Sequence, residues 1–455
     1  MDKIQLLQER KAKIAELGKE IRQRINELID ENSFVELSAF SFSKNEFYGE
    51  NAEGEGVVTG FATISDYPFY IVAQNFNAFD GALSKANCDK IVKCLDMAEK
   101  NATPVVYMLN TRGVQLGEGN TILESLAKLL LRATQLKGVV PQYLVVDGEV
   151  YGSIAMLGAI ADFSFFVSGK SVLTVNSPFV ISAKAGKNLT KEEVGSAKAL
   201  NKTGIPAFEV DSLQEVKEKI SYVCDLIATP FIEAELNESI PALNESVTAQ
   251  NLASVFESSL EIWGGYEPEV KTVLGRIGGI AVATVIFDGG DTGVELNGAK
   301  LAKIKNFAEF ACCYCLPFIT FTDTKGLSAC PCVNNSRVMK EASEYLAMLD
   351  TIDMPKIAVV YKKAIGLGYS LFVAKSAGFD YTCAFANAQI ALFDGEQGAT
   401  IELSNEKADK RELVQKYIAE NSDPVNMAKD GYIDAIIEPQ FIKQYLITAL
   451  QMLSR

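Results

Sequence analysis

The chain repeats a set of landmarks at a nearly constant separation. In each half, a proline leads from a helical stretch into an apolar stretch that ends in a Thr-X-Gly sequence. A second proline then starts another apolar stretch, and a glycine follows at its end. The equivalent residues lie 213 or 214 positions apart and are Pro104 and Pro317, Gly113 and Gly326, Pro141 and Pro355, and Gly152 and Gly366. Because four landmarks rarely share one offset by accident, the sequence predicts two copies of one domain.

The pattern inside the first copy is typical of an α/β fold. Short stretches rich in β-branched and aromatic residues alternate with longer helical stretches. The predicted strands cover residues 67–73, 105–109, 142–146 and 163–167, and the predicted helices cover residues 84–100, 121–136 and 152–161. Continuous apolar strands that alternate with helices indicate a buried, mostly parallel sheet.

The repeat and the composition set the predicted domain boundaries. Residues 1–30 carry apolar side chains at three- and four-residue steps among many charges, which predicts one surface helix that packs on the body or on another subunit. The first domain is expected over residues 31–230 and the second over residues 247–455. Between them, about residues 229–247 contain Pro230, Pro241 and several Asn and Glu residues, as linkers often do.

The sequence contains no histidine, which excludes a Ser-His-Asp triad, a Cys-His pair and any metal site with histidine ligands. A protein base must therefore be Asp, Glu, Lys, Tyr or Cys, unless the substrate or cofactor supplies its own. The net charge of −15 repels phosphate backbones, so nucleic acid is not an expected partner.

The nine cysteines are odd in number and unevenly spread, as reduced thiols in a cytoplasmic protein would be. Five of them fall between residues 312 and 332 with poor spacing for a Cys₄ metal site, so we expect core thiols and no metal site. Residues 144–167 form the most apolar long stretch, but three acidic residues in it argue against a membrane span. The charged start of the chain is unlike a signal peptide.

Glycines stand where an apolar strand passes into a helix of small residues, at residues 148–153 and again at residues 364–369. Backbone N–H groups at the start of a helix can bind an oxyanion. The alternative is a tight turn at which strand and helix approach closely. Because the arrangement occurs at the same place in both copies, the anion-binding interpretation is favoured over the turn alone.

Several motifs together resemble the carboxyltransferase subunit of biotin-dependent acyl-CoA carboxylases and decarboxylases. The resemblance covers the chain from about residue 25 to its end. The motifs that carry it are FVEL at 34–37, GEGVVTG at 54–60, QNFNAFDGALS at 74–84, PKIAVV at 355–360 with KAIG at 363–366, AFANAQIA at 384–391 and GYIDAIIEP at 431–439.

The resemblance implies two tandem crotonase-like domains. It also implies carboxyl transfer between carboxybiotin, held on a separate carrier, and an acyl-CoA, or the reverse decarboxylation. In this family the N-terminal half binds acyl-CoA and the C-terminal half binds biotin, no metal is used, and the site lies between halves of different subunits. The implied partners are a biotin carboxyl carrier or biotin carboxylase subunit and further copies of the chain, as a dimer or a trimer of dimers in the cytoplasm.

By motif position, the resemblance also implies the site residues. Oxyanion donors would be the backbone N–H groups of Gly152, Ser153, Leu367 and Gly368. Substrate-binding positions would be Arg112, Gly113, Tyr369 and Ser370.

The chain departs from the family pattern at some of these positions. Arg112 stands where the family has glycine, and Gln115 stands where it has arginine. Arg112 is interpreted either as a new phosphate or carboxylate contact or as a solvated loop residue. Two alternative functions follow: a non-catalytic paralogue that binds CoA esters or serves in assembly, and a crotonase-type hydratase or isomerase with Glu118 as its acid or base.

Overall fold

The computed structural model describes residues 2–43, 56–234, 239–327, 331, 337–402 and 409–453, and the strands and helices counted below are those within these ranges. The chain divides into two compact units, Met1–Cys224 and Asp225–Arg455, and the border falls within one helix. Residues 54 and 55 of the GEGVVTG motif, as well as Cys330 and Cys332, lie outside the described residues.

The first unit contains eight strands and most of nine helices. The strands are Val35–Leu37 (β1), Val57–Ile64 (β2), Tyr67–Gln74 (β3), Val105–Thr111 (β4), Gln142–Tyr151 (β5), Phe163–Val167 (β6), Val172–Thr174 (β7) and Ala207–Val210 (β8). The helices are Lys3–Leu17 (α1), Lys19–Leu28 (α2), Lys85–Lys100 (α3), Ile122–Gln135 (α4), Leu157–Ile160 (α5), Pro178–Ala185 (α6), Lys191–Gly195 (α7), Ala197–Asn201 (α8) and Leu213–Ala228 (α9). Three-residue-per-turn helices cover Phe79–Gly81, Leu116–Thr121 and Ser153–Met156.

The strands of the first unit form one sheet in the order β1-β2-β3-β4-β5-β6-β8, and β7 pairs with the end of β5. The hairpin β2–β3 and the edge strand β1 are antiparallel, whereas β3, β4, β5, β6 and β8 run parallel. The predicted mostly parallel sheet is confirmed. The carboxyl ends of its parallel strands meet at one edge, where ligands bind in folds of this kind.

The second unit has nine strands and eight further helices. The strands are Ser258–Ile262 (β9), Val270–Ile277 (β10), Ile280–Phe287 (β11), Val294–Leu296 (β12), Phe318–Leu327 (β13), Lys356–Ile365 (β14), Tyr381–Phe385 (β15), Gln389–Ala391 (β16) and Ala435–Ile437 (β17). The helices are Ala242–Glu245 (α10), Gly298–Cys313 (α11), Val338–Thr351 (α12), Leu367–Phe372 (α13), Gly395–Glu402 (α14), Lys410–Asn421 (α15), Pro424–Lys429 (α16) and Ile442–Leu453 (α17). Shorter three-residue-per-turn helices cover Asn251–Val255, Lys375–Ala377 and Pro439–Phe441.

The second sheet repeats the topology of the first, in the order β9-β10-β11-β13-β14-β15-β17. Its hairpin β10–β11 is again antiparallel, and β16 pairs with the end of β14 as β7 does with β5. Each unit has its own apolar core between the sheet and its helices. The repeat read from four landmarks is therefore a repeat of the whole fold.

The N-terminal segment forms two helices where one was predicted. The chain leaves the helical conformation at Gly18, where φ is −106° and ψ is 23°. The Arg22 side chain occupies the space that a Cβ atom at this position would need, so the close approach requires glycine. Arg22 donates a hydrogen bond to the Ile14 carbonyl in the last turn of α1, over 3.0 Å, in addition to the one from the Gly18 N–H, and pairs with Glu36.

Two further expectations need correction. Of the cysteines predicted to be core thiols, Cys312 is half-buried, and Cys313 and Cys315 are exposed, because they lie at the end of α11 and in the turn after it. The predicted helix over residues 152–161 is a three-residue-per-turn helix followed by the short α5. No helix among the described residues is long and apolar enough to cross a membrane.

Candidate active site

A turn at the carboxyl end of β5 leaves backbone donors of the first unit without acceptors among the described residues. Gly152 follows the strand with φ +89° and ψ −172°, and the helix Ser153–Met156 begins directly after it. The Gly152 N–H donates to the Val175 carbonyl over 3.1 Å, and the Ala155 N–H donates to the Gly152 carbonyl over 3.0 Å. Between them, the N–H groups of Ser153 and Ile154 have no acceptor among the described residues, as is usual for a first helical turn.

The second unit contains the same turn after β14. The Gly366 N–H donates to the Ala391 carbonyl over 3.0 Å, and the Tyr369 N–H donates to the Gly366 carbonyl over 3.1 Å. This leaves the N–H groups of Leu367 and Gly368 without an acceptor within the described part of the chain. Each glycine is held by a carbonyl at the end of a short neighbouring strand. Val175 directly follows β7, and Ala391 is the last residue of β16.

The two turns correct one predicted donor. Gly152 was predicted to donate its N–H to an oxyanion, but Val175 already accepts that hydrogen bond. The pair that matches Leu367 and Gly368, 214 residues earlier, is Ser153 and Ile154. The donor candidates are therefore Ser153 and Ile154 in the first unit and Leu367 and Gly368 in the second.

A second glycine approaches each turn from the neighbouring strand. The Gly113 N–H donates to Thr111 Oγ1 over 3.1 Å, and a Cβ atom added at Gly152 would lie 3.3 Å from the Gly113 Cα. In the second unit the Gly326 N–H donates to Thr324 Oγ1, also over 3.1 Å. The repeat therefore extends to the hydrogen bonds that shape the two turns.

Gly326 keeps the second turn open. Its φ is +80°, and a Cβ atom there would lie 2.8 Å from the Ile365 carbonyl oxygen and 3.9 Å from the Leu367 nitrogen. Any side chain at this position would be strained and would stand beside the Leu367 N–H. Glycine thus leaves this donor accessible.

The predicted substrate-binding residues surround these turns. Tyr369 is half-buried and Ser370 is exposed, both within the first turn and a half of α13. Burial raises the pKa of the Tyr369 hydroxyl, so this group stays protonated at neutral pH. Tyr369 and Ser370 lie next to the donors in the same helix.

Arg112 lies at the surface beside the first turn. Its side chain is 60% exposed, with Nη1 3.6 Å from Asp80 Oδ2. The guanidinium stands over the Phe76 ring at 5.6 Å from the centroid. The aromatic face and the carboxylate orient the cation, which remains open to solvent and to an anionic ligand.

One polar cluster was missed by sequence reasoning. The Tyr151 hydroxyl donates to Glu149 Oε2 over 2.8 Å, and Lys191 forms an ion pair with the other carboxylate oxygen. Burial alone would raise the pKa of Glu149, but the hydrogen bonds from Lys191 and Tyr151 lower it below its usual value. The cluster joins Tyr151, the residue before Gly152, to α7 through Glu149. Lys191 and Glu149 are 42 residues apart in the chain, so no local sequence pattern predicts their contact.

Glu118, the acid or base of the hydratase alternative, lies in the helix Leu116–Thr121 and is half-buried. Ser43 donates a hydrogen bond to Glu118 Oε1 over 3.0 Å. This contact gives the carboxylate a partner inside the protein, as expected of a residue that fixes a loop.

A separate pocket lies at the carboxyl ends of β3, β4 and β5, beside α2. Asp147 in this pocket pairs with Arg24 at 2.6 Å and with Lys170 at 2.5 Å. Carboxamides and an aromatic ring complete much of the wall, from Gln74, Asn75, Phe76, Asn77 and Asn110. In the part of the chain that the structure describes, no group of three or more His, Cys, Asp or Glu side chains is arranged to hold a metal ion.

The fold has a close counterpart among solved structures. Transcarboxylase 12S, solved as a hexamer with methylmalonyl-coenzyme A and methylmalonic acid bound, superimposes with a TM-score of 0.91. The match covers 99% of this chain and 95% of that one at 23% sequence identity. This likeness confirms the predicted tandem α/β fold.

Sequence comparison identifies relatives over nearly the whole length. The chain is 26% identical to the methylmalonyl-CoA decarboxylase subunit alpha of Veillonella parvula, over all of this chain and 96% of that protein. It is also 26% identical to the propionyl-CoA carboxylase beta chain of Saccharopolyspora erythraea, over 95% of this chain and 87% of that protein. The family model for the carboxyl transferase domain matches residues 16–455. With the duplicated fold and the duplicated turns, this match shows that the chain belongs to the carboxyl transferase domain family.

Proposed function

We propose that this protein transfers a carboxyl group between biotin on a separate carrier protein and a short acyl-CoA, or runs the corresponding decarboxylation. The observation that carries the proposal is the pair of unsatisfied backbone N–H groups at the same place in both repeats. Two such pairs suit a reaction with two partners that each present an oxygen. Membership of the carboxyl transferase domain family and the names of the relatives support the substrate class.

The first pair, Ser153 and Ile154, would bind the thioester oxygen of the acyl-CoA. When the α-carbon loses a proton or a carboxyl group, the remaining electron pair delocalises onto that oxygen. Two N–H donors fixed by a helix start stabilise the developing negative charge, and one such donor contributes about 10²- to 10³-fold in turnover. The donors belong to the backbone, so a chain without histidine can supply them.

The second pair, Leu367 and Gly368, fits the ureido oxygen of biotin. The fit rests on two features of the structure: the donors have no acceptor among the described residues, and a side chain at Gly326 would stand beside the Leu367 N–H. Biotin, when bound, carries the carboxyl group that is transferred. The chain's own contribution is to bind the ureido oxygen and hold the ring against the acyl-CoA.

Backbone donors would also preserve the proposed function despite the departures from the family pattern. Substitution of a side chain leaves an N–H in place unless the new residue is proline. Leu367 and Ser153 therefore serve as donors whatever their side chains are. The departure at Arg112 adds an exposed cation near the first turn. We propose that this cation binds the phosphates of coenzyme A.

The proposed assembly is a homo-oligomer in which the first repeat of one chain meets the second repeat of another. Both units expose large apolar side chains in the elements around their turns. Leu116 and Phe179 are 87% and 82% exposed in the first unit, and Leu392 and Met339 are 69% and 65% exposed in the second. Apolar surface of this kind usually marks a protein interface. The biotin carrier is proposed as the second partner.

A cytoplasmic location completes the proposal. Six described cysteines besides Cys313 carry free thiols: Cys88, Cys94, Cys224, Cys312, Cys315 and Cys383. A free thiol at an exposed position such as Cys315 persists in a reducing compartment.

The direct test is carboxyl transfer with the purified chain. Methylmalonyl-CoA is offered with free biotin or a biotinylated carrier as the carboxyl acceptor, propionyl-CoA is offered with a carboxylated carrier as the carboxyl donor, and acyl-CoA conversion is followed by mass spectrometry. Turnover that depends on biotin is the expected result. Binding of CoA esters without any turnover would favour the non-catalytic alternative, and hydration of an enoyl-CoA would favour the hydratase alternative.

A further inference from the structure

A buried carboxylate lies beneath the loop that precedes β12. Asp323, in β13, has no solvent-exposed surface. The Gly289 N–H faces its carboxylate and lowers its pKa, but neither oxygen accepts a hydrogen bond of normal geometry from a described residue. The nearest cation is the ammonium of Lys362, 3.9 Å from Asp323 Oδ2. Burying a charge without hydrogen bonds is costly, so this arrangement calls for an explanation.

Two adjacent lysines tie the loop of residues 288–293 to β14. Lys362 Nζ donates to the Gly290 carbonyl over 2.6 Å, and Lys363 Nζ donates to the Asp291 and Thr292 carbonyls over 3.0 Å each. Three successive carbonyls of one loop thus bind two ammonium groups. The loop also packs directly on the carboxylate below, because a Cβ atom at Gly293 would lie 3.2 Å from Asp323 Oδ1.

The same loop leads into the proposed biotin half-site. It continues into β12, where the Val294 carbonyl accepts a hydrogen bond from Thr324 Oγ1 over 2.7 Å. Thr324 Oγ1 in turn accepts the Gly326 N–H, and the Gly326 turn stands beside the Leu367 N–H. Contacts therefore run without a gap from the loop to the donor.

The first repeat has uncharged residues at the positions equivalent to Asp323 and Lys362. The residue 213 positions before Asp323 is Asn110, and the residue 214 positions before Lys362 is Gly148. The carboxamide of Asn110 lies against Gly148, where it fills the space of a missing side chain. Since the fold forms with a neutral pair in the first repeat, the charge at Asp323 serves something particular to the second.

We propose that Asp323 is a positioning residue for the second half-site. Its negative charge holds Lys362, and through Lys362 and the loop of residues 288–293 it fixes the Gly326 turn beside the Leu367 donor. The inference rests on the proposed function, because that function assigns this half-site to biotin.

The charge state of Asp323 gives the proposal a pH dependence. Burial raises the pKa of Asp323 to about 6, and the facing Lys362 and Lys363 keep it from rising further. The other titratable groups that face it are Tyr361 on β14 and Asp288 on the loop, whose charge pairs with Lys271 at 2.9 Å. As the pH falls through about 6, Asp323 becomes neutral and Lys362 loses its ionic partner. Because burial raises this pKa, protonation removes a buried charge and does not by itself open the loop.

The activity test uses Asp323→Asn, which places in the second repeat the residue that the first repeat has. We expect the turnover number of the biotin-dependent reaction to fall about 10- to 100-fold, while the Kd for acyl-CoA stays unchanged. The turnover of the wild type should fall as the pH falls through about 6, and the turnover of the variant should not show this decrease at acidic pH, the acid limb of the pH profile.

Lys362→Arg should keep more activity than Lys362→Gln. Asp350→Asn, on the exposed face of α12, is the control of equal charge change and should match the wild type. An Asp323→Asn variant with wild-type turnover and a wild-type acid limb would overturn the proposal.

Hydrogen–deuterium exchange supplies a readout that does not depend on activity. Peptides covering residues 288–296 and 324–327 should exchange faster in Asp323→Asn than in the wild type. Unchanged exchange in the variant would contradict the role of Asp323. A wild type without biotin-dependent turnover would instead contradict the proposed function, and the exchange data would still decide the role of Asp323.

Discussion

The Asp30 carboxylate and the Lys217 ammonium lie 2.8 Å apart and form an ion pair between the segment before β1 and α9, beside the turn of the β2–β3 hairpin. The same carboxylate accepts hydrogen bonds from the N–H groups of Ser65 and Asp66, over 2.9 and 2.8 Å. Burial alone would raise the pKa of Asp30, but the hydrogen bonds from Lys217 and the turn hold it well below its usual range. One side chain therefore joins the segment before β1, the hairpin and α9.

The second unit repeats this clamp with a longer acid. Glu257 accepts hydrogen bonds from the N–H groups of Gly278 and Gly279, over 3.0 and 3.3 Å, at the turn of β10–β11. Lys443 on α17 pairs with Glu257 at 2.9 Å. The two clamps use equivalent positions in the fold, and the sequence analysis missed both because each joins residues far apart in the chain.

The clamp predicts a stability effect. Asp30→Asn should lower the free energy of unfolding by about 1–3 kcal/mol at neutral pH, the usual range for charge-assisted hydrogen bonds. Because the folded-state pKa of Asp30 is lowered, its contribution is fully present above the unfolded value of about 3.9 and is lost as the pH falls through the folded value. Urea unfolding of the wild type and variant at several pH values measures this. Glu31→Gln, at an exposed neighbouring position, is the control, and equal effects of the two changes would argue against the clamp.

Gly326 should matter for turnover beyond its effect on stability. Gly326→Ala adds a Cβ atom 2.8 Å from the Ile365 carbonyl and beside the Leu367 N–H, so we expect at least about a 10-fold loss of turnover. Gly431→Ala is the matched control, since Gly431 also has a positive φ, +78°, but no atom within 4 Å of an added Cβ. Both variants should lose some thermal stability, and only Gly326→Ala should lose biotin-dependent activity. Similar activity losses in both would show that backbone strain alone accounts for the effect.

Arg112 should contact the phosphates of coenzyme A. Arg112→Gln is expected to weaken acyl-CoA binding about 10-fold, because a charge-assisted contact is typically worth about 1.5–3 kcal/mol. The affinity for the matching acyl-pantetheine, which lacks the nucleotide, should not change. Calorimetry on both ligands tests this, with the exposed Lys128→Gln as the control for loss of a positive charge. Equal binding of acyl-CoA by the wild type and Arg112→Gln would identify Arg112 as a solvated loop residue.

Much of the fold follows from local sequence patterns. Prolines before apolar stretches and glycines after them mark the start and end of β4, β5, β13 and β14, and their constant offset reveals the duplication. These features are encoded by residues close together in the chain. For the same reason the strand–glycine–helix turns were predicted at the right places.

Features that depend on distant contacts were not predictable in this way. Which N–H groups are free at the first turn is decided by Val175, 23 residues after Gly152, so Gly152 was chosen in place of Ile154. The close approach at Gly18 depends on how Arg22 folds back onto α1. The burial of Asp323 depends on a loop some thirty residues earlier and on two lysines some forty residues later.

The central claim is that backbone N–H groups in both repeats carry the chemistry, and Leu367 tests it most directly. Proline is tolerated at the first position of a helix, so Leu367→Pro removes the donor with little disturbance of α13. Leu367→Ala keeps the donor and removes the side chain. Melting temperature and oligomer size confirm that both variants are folded before activity is compared.

The measurement is the turnover number for biotin-dependent carboxyl transfer of wild type, Leu367→Ala and Leu367→Pro. The account predicts that Leu367→Ala keeps most of the activity and that a folded Leu367→Pro loses about 10²- to 10³-fold. Equal losses in the two variants, or wild-type turnover in a folded Leu367→Pro, would contradict it.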